Sequence, residues 1–293
     1  MINTTLWTAL ITPMTHSGEV HYDDLEKLIR RQESAGNGVL LIGSTGEGLA
    51  LSDSEKQNIV EFADQMKPDV PVMVGVGGFQ IEEQKQWIEF CNSKSIDALL
   101  LVAPLYAKPG PEGQRQWFNE LLNVSEKPCM IYNIPSRTGV EIEPAVLADL
   151  QSHPNFWSVK EASGNIKDYQ RFREVIPNIP LYSGDDGLMP FFATAGSAGL
   201  VSVASNVWPE ETAEYVKLCL NGETNTLFPV WKLAAEALFS APNPIPAKTL
   251  LNEKGIIETN QLRLPLVASE IENRELLTET DTKILNWYKK IKN

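Results

Sequence analysis

The chain has 293 residues, of which 43% are hydrophobic and 22% are charged, so it can bury a globular core without disulfides or metals. Its net charge of −13 argues against nucleic acid and anionic membranes as main partners, because both attract basic surfaces. The cysteines Cys91, Cys129 and Cys219 form no CxxC pair, which indicates neither a zinc knuckle nor a redox pair. The N-terminal apolar stretch follows no basic segment and ends at Pro13, so we expect no signal peptide or membrane span and a cytoplasmic protein.

Eight short apolar runs alternate with helical stretches along most of the chain. This alternation predicts a parallel sheet, and eight strands suit a TIM (β/α)8 barrel. A doubly wound sheet is the alternative, but Thr12–Thr15 after the first strand lacks the glycine-rich fingerprint that it would need. The predicted strands are Leu6–Thr12, Gly38–Gly43, Val70–Val76, Ala98–Ala103, Pro128–Asn133, Phe156–Lys160, Pro180–Gly184 and Gly199–Val203.

The helical stretches continue after Val203, where the strand pattern stops. We therefore expect a barrel domain over residues 1–225 and a C-terminal helical appendage over residues 226–293. One predicted helix begins Ser52-Asp53-Ser54-Glu55, the pattern of an N-terminal capping box. The predicted helices include Asp23–Ala35, Asp53–Met66, Ile81–Ser93, Glu112–Val124, Glu210–Leu220, Thr226–Leu238, Ala247–Asn252 and Ile271–Lys290.

The active site of such a barrel is expected after the C-terminal ends of its strands. Lys160 ends the sixth strand, and strand alternation places it on the same face as Phe156 and Ser158. If Phe156 fills the barrel, Lys160 points into the barrel mouth, where desolvation lowers its pKa and leaves an amine that can attack a ketone. A solvated lysine at a strand end is the alternative interpretation.

Three further strand ends carry candidate groups. Tyr132 ends the adjacent strand, where a phenol can shuttle protons, although alone it could equally be an aromatic core residue. Arg137 has the geometry to hold a carboxylate with two hydrogen bonds, and a surface salt bridge is its alternative. The turn Gly43–Gly46 offers backbone N–H groups and two hydroxyls to a small carboxylate, or is only a tight turn.

The histidines give no metal-binding pattern. His16, His21 and His153 form neither an HxH nor an HExxH pair. A metal-dependent aldolase would need such ligands, so the sequence predicts no metal and favours a lysine Schiff base.

Taken in chain order, four of these strand ends resemble a known signature. The stretches Gly43–Glu47, Tyr132–Gly139, Lys160–Gly164 and Ser183–Asp186 are similar to the motifs of the dihydrodipicolinate synthase / N-acetylneuraminate lyase superfamily, and Asn243–Pro246 resembles its C-terminal region. The resemblance spans roughly residues 6–265. Within the superfamily, Arg137 favours the synthase branch, because the sialic acid lyases generally lack that arginine.

The resemblance implies a chemistry and an assembly. Pyruvate would condense with L-aspartate 4-semialdehyde to give 4-hydroxy-tetrahydrodipicolinate on the route to diaminopimelate and lysine. The reaction would use a covalent imine between pyruvate and a lysine, with no other cofactor. The family also implies a homotetramer built as a dimer of dimers.

The resemblance also implies roles for individual residues. Lys160 would be the Schiff-base nucleophile and Tyr132 the proton donor. Ser44 and Tyr106 would complete the proton relay, with Tyr106 supplied by the neighbouring subunit. The substrate-binding residues would be Thr45 and Val201 for pyruvate, Arg137 for the semialdehyde carboxylate, and Gly184 for close approach of substrate to the backbone.

Two positions depart from the family pattern. The relay residue is usually threonine, and Ser44 keeps the hydroxyl without the methyl that fixes its rotamer. The second departure concerns the site that binds lysine in feedback-inhibited members, where Lys56 places a cation against a cationic ligand. We therefore expect weak or no inhibition by lysine. The positions of that site are Gly48, Leu49, Asp53, Lys56, Phe79, Glu83 and Leu105.

Two alternative functions share parts of this pattern. Another pyruvate aldolase, such as an N-acetylneuraminate or keto-sugar-acid lyase, would keep Lys160 and Tyr132 but would need room for a polyhydroxylated chain in place of Arg137. A non-catalytic relative would be expected to lack the lysine or the tyrosine, and both are present.

Overall fold

The computed structural model describes residues 2–224 and 227–292. Within those residues, eight parallel strands close a barrel in chain order, and the last strand pairs with the first. This confirms the predicted TIM barrel. The strands are β1 (Leu6–Ala9), β2 (Gly38–Leu41), β3 (Val72–Val76), β4 (Ala98–Val102), β5 (Cys129–Asn133), β6 (Phe156–Glu161), β7 (Leu181–Ser183) and β8 (Gly199–Ser202).

Helices surround the barrel and continue beyond it. The predicted capping box is present, since the Ser52 hydroxyl accepts from the Glu55 N–H and the Glu55 carboxylate accepts from the Ser52 N–H at 2.8 Å. The helices in the described part of the chain are α1 (Tyr22–Ala35), α2 (Asp53–Met66), α3 (Ile81–Asn92), α4 (Pro111–Val124), α5 (Pro135–Thr138), α6 (Pro144–Leu150), α7 (Ile166–Val175), α8 (Met189–Thr194), α9 (Pro209–Leu220), α10 (Phe228–Leu238), α11 (Ile245–Glu253) and α12 (Arg274–Lys292).

Some predicted boundaries differ from the structure. Strand β1 ends at Ala9 and not at Thr12, because the Ile11 N–H donates to the Asn206 side chain at 2.9 Å and leaves the sheet. The predicted domain boundary between residues 225 and 226, and the predicted helix start at Thr226, lie outside the described residues.

The buried side chains form two layers. One layer fills the barrel and includes Trp7, Met73, Met130 and Tyr132, and the other lies between the strands and the helices. Apolar burial of this kind is the main stabilising contribution to the fold.

Strand β6 does not alternate regularly. Phe156 packs in the outer layer, so it does not fill the barrel, whereas Trp157 packs on Trp7 in the interior. The pairing of β5 with β6 shifts register after Cys129, and this bulge changes the phase of the strand. Beyond the bulge, Val159 faces the helices and Lys160 faces the barrel axis. The inward direction predicted for Lys160 is therefore right, but the alternation from Phe156 that supported it is wrong.

The helices after the barrel are joined by stacked aromatic rings. Trp231 of α10 stacks on Tyr215 of α9 at 4.1 Å and meets Trp287 of α12 edge-on at 5.4 Å. The Trp208 indole also donates to Asp281 of α12 at 2.7 Å. The last helix therefore covers an apolar face of the C-terminal region. Every helix in residues 2–224 and 227–292 is too short or too polar to cross a lipid bilayer.

Candidate active site

Lys160 lies inside the C-terminal end of the barrel. Its side chain is 5% exposed, and its Cα is paired with those of Tyr132 on β5 and Tyr182 on β7. Burial lowers the pKa of Lys160 to about 7; nearby Asp186 opposes that shift, and Arg137 adds to it. At neutral pH a large fraction of this amine is therefore unprotonated and can act as a nucleophile.

Tyr132 lies next to this amine. The Lys160 Nζ is 4.2 Å from the centroid of the Tyr132 ring. Burial raises the pKa of Tyr132 to about 12, against the opposing effects of the Arg137 guanidinium and the Ser44 hydroxyl. The phenol therefore keeps its proton at neutral pH and can donate it to a reacting oxygen.

The turn Gly43–Glu47 follows β2 at the same end of the barrel. Ile42 and Glu47 adopt left-handed backbone conformations, with φ of 58° and 54°. The Thr12 hydroxyl donates to the Gly46 carbonyl at 2.7 Å, and a Cβ on Gly46 would lie 3.0 Å from the Leu10 carbonyl oxygen. The turn is thus held tightly against the end of β1.

Thr45 is buried in this turn, whereas Ser44 is exposed. The Asn243 side-chain N–H donates to the Thr45 hydroxyl oxygen at 2.9 Å, so the Thr45 O–H is free to donate to a carboxylate. Asn243 received no role from the sequence. The only sequence signal was its position at the start of the Asn243–Pro246 motif.

Gly184 lies against the Lys160 side chain, and Val201 lies inside the barrel. The Gly184 N–H donates to the Glu161 carbonyl at 2.7 Å, and a Cβ on Gly184 would lie 2.8 Å from the Lys160 Cε. Glycine is therefore the residue that fits beside Lys160. Val201 is buried inside the barrel on β8, paired with Trp7 of β1.

A cavity of about 1090 Å³ opens beside Tyr132 and the start of the Gly43–Glu47 turn. Ser44, Tyr106, Tyr132 and Arg137 line it, and Arg137 reaches it from the short helix α5. Most positions of the lysine site implied by the family resemblance line the same cavity, namely Gly48, Leu49, Asp53, Lys56, Glu83 and Leu105. Phe79 is 62% exposed.

Two buried carboxylates near Lys160 had no role predicted from the sequence. Asp186 accepts from the Ser202 hydroxyl and from the Val203 N–H at 3.0 Å, and burial raises the pKa of Asp186 to about 6. Glu161 accepts from the Asn133 side chain and the Ser163 N–H, each at 2.6 Å. Glu161 is the last residue of β6 and Asp186 lies three residues after β7, so their position at strand ends is the signal by which they could have been found.

Tyr106 lines the cavity with a side chain that is mostly in solvent. Its side chain is 92% exposed, and its backbone has a φ of 70°. The structure thus places Lys160, Tyr132, Ser44, Thr45, Gly184 and Val201 at the barrel mouth, with Arg137 at the cavity wall and the exposed ring of Tyr106 beside the same cavity.

Comparison with known proteins gives a consistent result. The profile of the Dihydrodipicolinate synthetase family matches residues 3–283, which extends into α12 and thus further than the motifs reach. The 4-hydroxy-tetrahydrodipicolinate synthase of Francisella philomiragia is 48% identical over 291 residues, covering 99% of each chain. The 4-hydroxy-tetrahydrodipicolinate synthase structure from Methylacidiphilum fumariolicum SolV superimposes with a TM-score of 0.93 at 30% identity, covering 99% of this chain and 98% of that one.

A further solved structure contains a small ligand. The chloride-inhibited dihydrodipicolinate synthase of Acinetobacter baumannii, solved with pyruvate, superimposes with a TM-score of 0.90 at 29% identity, covering 96% of this chain and 99% of that one. The profile match and the full-length identity agree with the barrel fold. The chain therefore belongs to the dihydrodipicolinate synthetase family.

Proposed function

We propose that the chain is a lyase with 4-hydroxy-tetrahydrodipicolinate synthase activity, which condenses pyruvate with L-aspartate 4-semialdehyde in lysine biosynthesis. The observation that carries this proposal is the buried Lys160, whose pKa is lowered to about 7 and whose amine lies against Tyr132. Relatives of this activity align over the whole chain, and one family structure contains pyruvate. The proposed reaction needs no cofactor, since the substrate is activated by the covalent imine with Lys160. The proposed location is the cytoplasm, where the three free cysteines would stay reduced.

In the proposed first half-reaction, pyruvate binds with its carboxylate at the Thr45 hydroxyl and adjacent N–H groups, with its carbon chain against Val201. The Lys160 amine attacks the ketone carbon, and Tyr132 donates a proton to the oxygen so that it leaves as water. Ser44 lies near the Tyr132 phenol and would return the proton. The resulting imine makes the pyruvate methyl acidic, because an enamine can hold the charge.

In the proposed second half-reaction, the enamine carbon adds to the aldehyde of the semialdehyde. Arg137 at the cavity wall would hold the semialdehyde carboxylate with two charge-assisted hydrogen bonds. The substrate amine then attacks the imine carbon, which closes the ring and releases the free amine of Lys160.

Tyr106 would act in a neighbouring subunit. Its ring is 92% exposed beside a cavity that Tyr132 also lines, and an exposed aromatic ring suits a subunit interface. We therefore propose the homotetramer implied by the family, with Tyr106 completing the relay across the tight dimer.

The assay that tests this function uses purified protein, pyruvate and L-aspartate 4-semialdehyde, with product followed through an NADPH-dependent reductase. Turnover is expected, in an oligomeric preparation. If the assay gives no turnover while borohydride still traps pyruvate on Lys160, the acceptor is wrong and a keto-sugar-acid lyase becomes the better assignment. If pyruvate is not trapped, the chain is a non-catalytic relative.

Arg137→Leu is expected to raise the semialdehyde concentration needed for half-maximal rate by about 10- to 100-fold, because it removes hydrogen bonds to a charged group worth about 1.5–3 kcal/mol. Borohydride trapping of pyruvate at about pH 8.5 should remain close to wild type. The matched control is Arg171→Leu on α7, which removes an exposed arginine paired with Glu141. An unchanged semialdehyde dependence in Arg137→Leu would refute the assigned carboxylate contact.

The rate of imine formation is expected to depend on the protonation of Lys160. Because its folded-state pKa is about 7, the free amine is lost as the pH falls through that value, and kcat/KM for pyruvate should drop about tenfold per pH unit below it. Asp186→Asn removes a nearby negative charge, which should lower the pKa of Lys160 and move the fall in kcat/KM to lower pH. The measurement is the pyruvate trapping rate between about pH 5.5 and 9. A trapping rate that still rises about tenfold per pH unit up to about pH 9, as for a lysine with the ordinary pKa of 10.5, would contradict the assignment.

A further inference from the structure

The proposed carboxylate-binding turn is fastened to the C-terminal region through Glu47. The Glu47 side chain is 2% exposed, and its carboxylate accepts from the Lys248 ammonium and from the Arg263 N–H at 2.8 Å. Both donors come from beyond the barrel, more than two hundred residues away in the chain. The end of the turn is therefore held by the C-terminal region.

Lys248 has no exposure to solvent. It lies on α11, and its ammonium donates to Glu47 and to the Gln261 carbonyl, the latter at 2.9 Å. Burial lowers the pKa of Lys248, and the Glu47 carboxylate opposes that shift. Buried ion pairs contribute little net stability, because desolvation of both charges offsets their attraction. Stability alone is therefore a poor explanation for placing this pair inside the protein.

Arg263 of the C-terminal region makes further contacts around the turn. The Arg263 guanidinium donates to the Gly18 carbonyl at 2.9 Å and to the Ala50 carbonyl at 3.3 Å, and it pairs with Glu55 of α2. These contacts hold the segment that follows the turn. Glu47 is thus fixed between Arg263 and Lys248 while its own backbone is left-handed.

The geometry points to Lys248 as a positioning residue for pyruvate: through Glu47, it holds the Thr45 hydroxyl and the N–H groups of the turn where the carboxylate binds. This inference rests on the proposed function, since it assigns the turn to pyruvate. Glu47 is two residues from Thr45 in a turn with left-handed backbone at both Ile42 and Glu47, so a shift of the carboxylate would be transmitted to the hydroxyl. Misplacement of a binding group by about 1 Å can cost a large factor in rate.

The test measures two substrate dependences in Lys248→Met. We expect the pyruvate concentration for half-maximal borohydride trapping to rise about tenfold, with the semialdehyde KM unchanged because Arg137 lies on α5 and not on the turn. A purely structural defect would lower the active fraction and leave both concentrations unchanged. The matched control is Lys254→Met, which removes a partly buried lysine–carboxylate pair with Asp281 just beyond the same helix, away from the turn.

A second variant separates positioning from folding. Lys248→Met alone leaves the Glu47 charge buried without its partner, whereas Glu47→Gln with Lys248→Met removes both charges. The double variant should fold, by circular dichroism and thermal unfolding, and still need about tenfold more pyruvate. A folded double variant with wild-type pyruvate dependence would overturn the inference, and so would a double variant that does not fold, since the pair would then be structural. Failure of the wild-type chain to trap pyruvate would instead refute the proposed function.

Discussion

Lys160→Met is expected to abolish pyruvate trapping by borohydride and to lower turnover at least about 10⁴-fold, since methionine has no amine to form the imine. Lys56 and Lys108 line the cavity beside Tyr132, so the lysine that carries the trapped pyruvate must be identified by peptide mapping. Lys108→Met is the matched control, because Lys108 is exposed. Its trapping rate should stay within about twofold of wild type. A label that persists on another lysine in Lys160→Met would contradict the assignment.

The same substitution is expected to stabilise the folded protein. The pKa of Lys160 is about 7 when folded and near 10.5 when unfolded, so between these values the unfolded state binds more protons and the wild type gains stability as pH rises. The free-energy cost of burying a protonated Lys160 is fully present below the folded-state pKa and disappears above the unfolded-state pKa. Lys160→Met should therefore raise the free energy of unfolding by about 1–3 kcal/mol at about pH 6, and this gain should be smaller at about pH 9.5. Denaturant unfolding at the two pH values measures this difference.

Local sequence patterns were sufficient to predict the barrel. Each strand is a short buried apolar run, and the helices between them carry recognisable signals such as the capping box at Ser52. Lys160 and Tyr132 could be chosen as candidates because in this fold functional groups follow strand ends that can be read from the chain, whereas the roles of Ser44, Thr45 and Val201 rest on the family resemblance. The ends of the predicted strands are less accurate, since the Asn206 side chain accepts from the Ile11 N–H and so ends the sheet pairing earlier than the apolar run suggests.

What the sequence could not predict depends on contacts between distant segments. The bulge in β6 arises from its register with β5, so the change of phase between Phe156 and Lys160 cannot be read from β6 alone. Asn243 and Lys248 meet Thr45 and Glu47 across about two hundred residues of chain. Their residue types carry no signal of those partners, which only the packing of α11 on the barrel mouth supplies.

Gly184→Ala is expected to lower the rate of imine formation at saturating pyruvate about 100-fold while the barrel still folds. The added Cβ would lie 2.6 Å from the Ala162 Cβ, 2.8 Å from the Lys160 Cε and 3.2 Å from the Glu161 carbonyl oxygen. The Gly184 N–H is bonded to that carbonyl at 2.7 Å, so its backbone cannot easily withdraw. The Lys160 side chain is the flexible neighbour and must move.

The effect should therefore appear in the chemistry more than in the stability. We expect a loss of about 1–3 kcal/mol in unfolding free energy from overpacking, and a trapping rate that does not recover at high pyruvate because the amine itself is displaced. Gly110→Ala is the matched control, since no atom lies within 4 Å of its added Cβ. Wild-type trapping in Gly184→Ala would mean that Lys160 can reach pyruvate from another rotamer. Slower trapping with only a small change in the free energy of unfolding would mean that glycine is required here because a larger residue displaces the Lys160 amine.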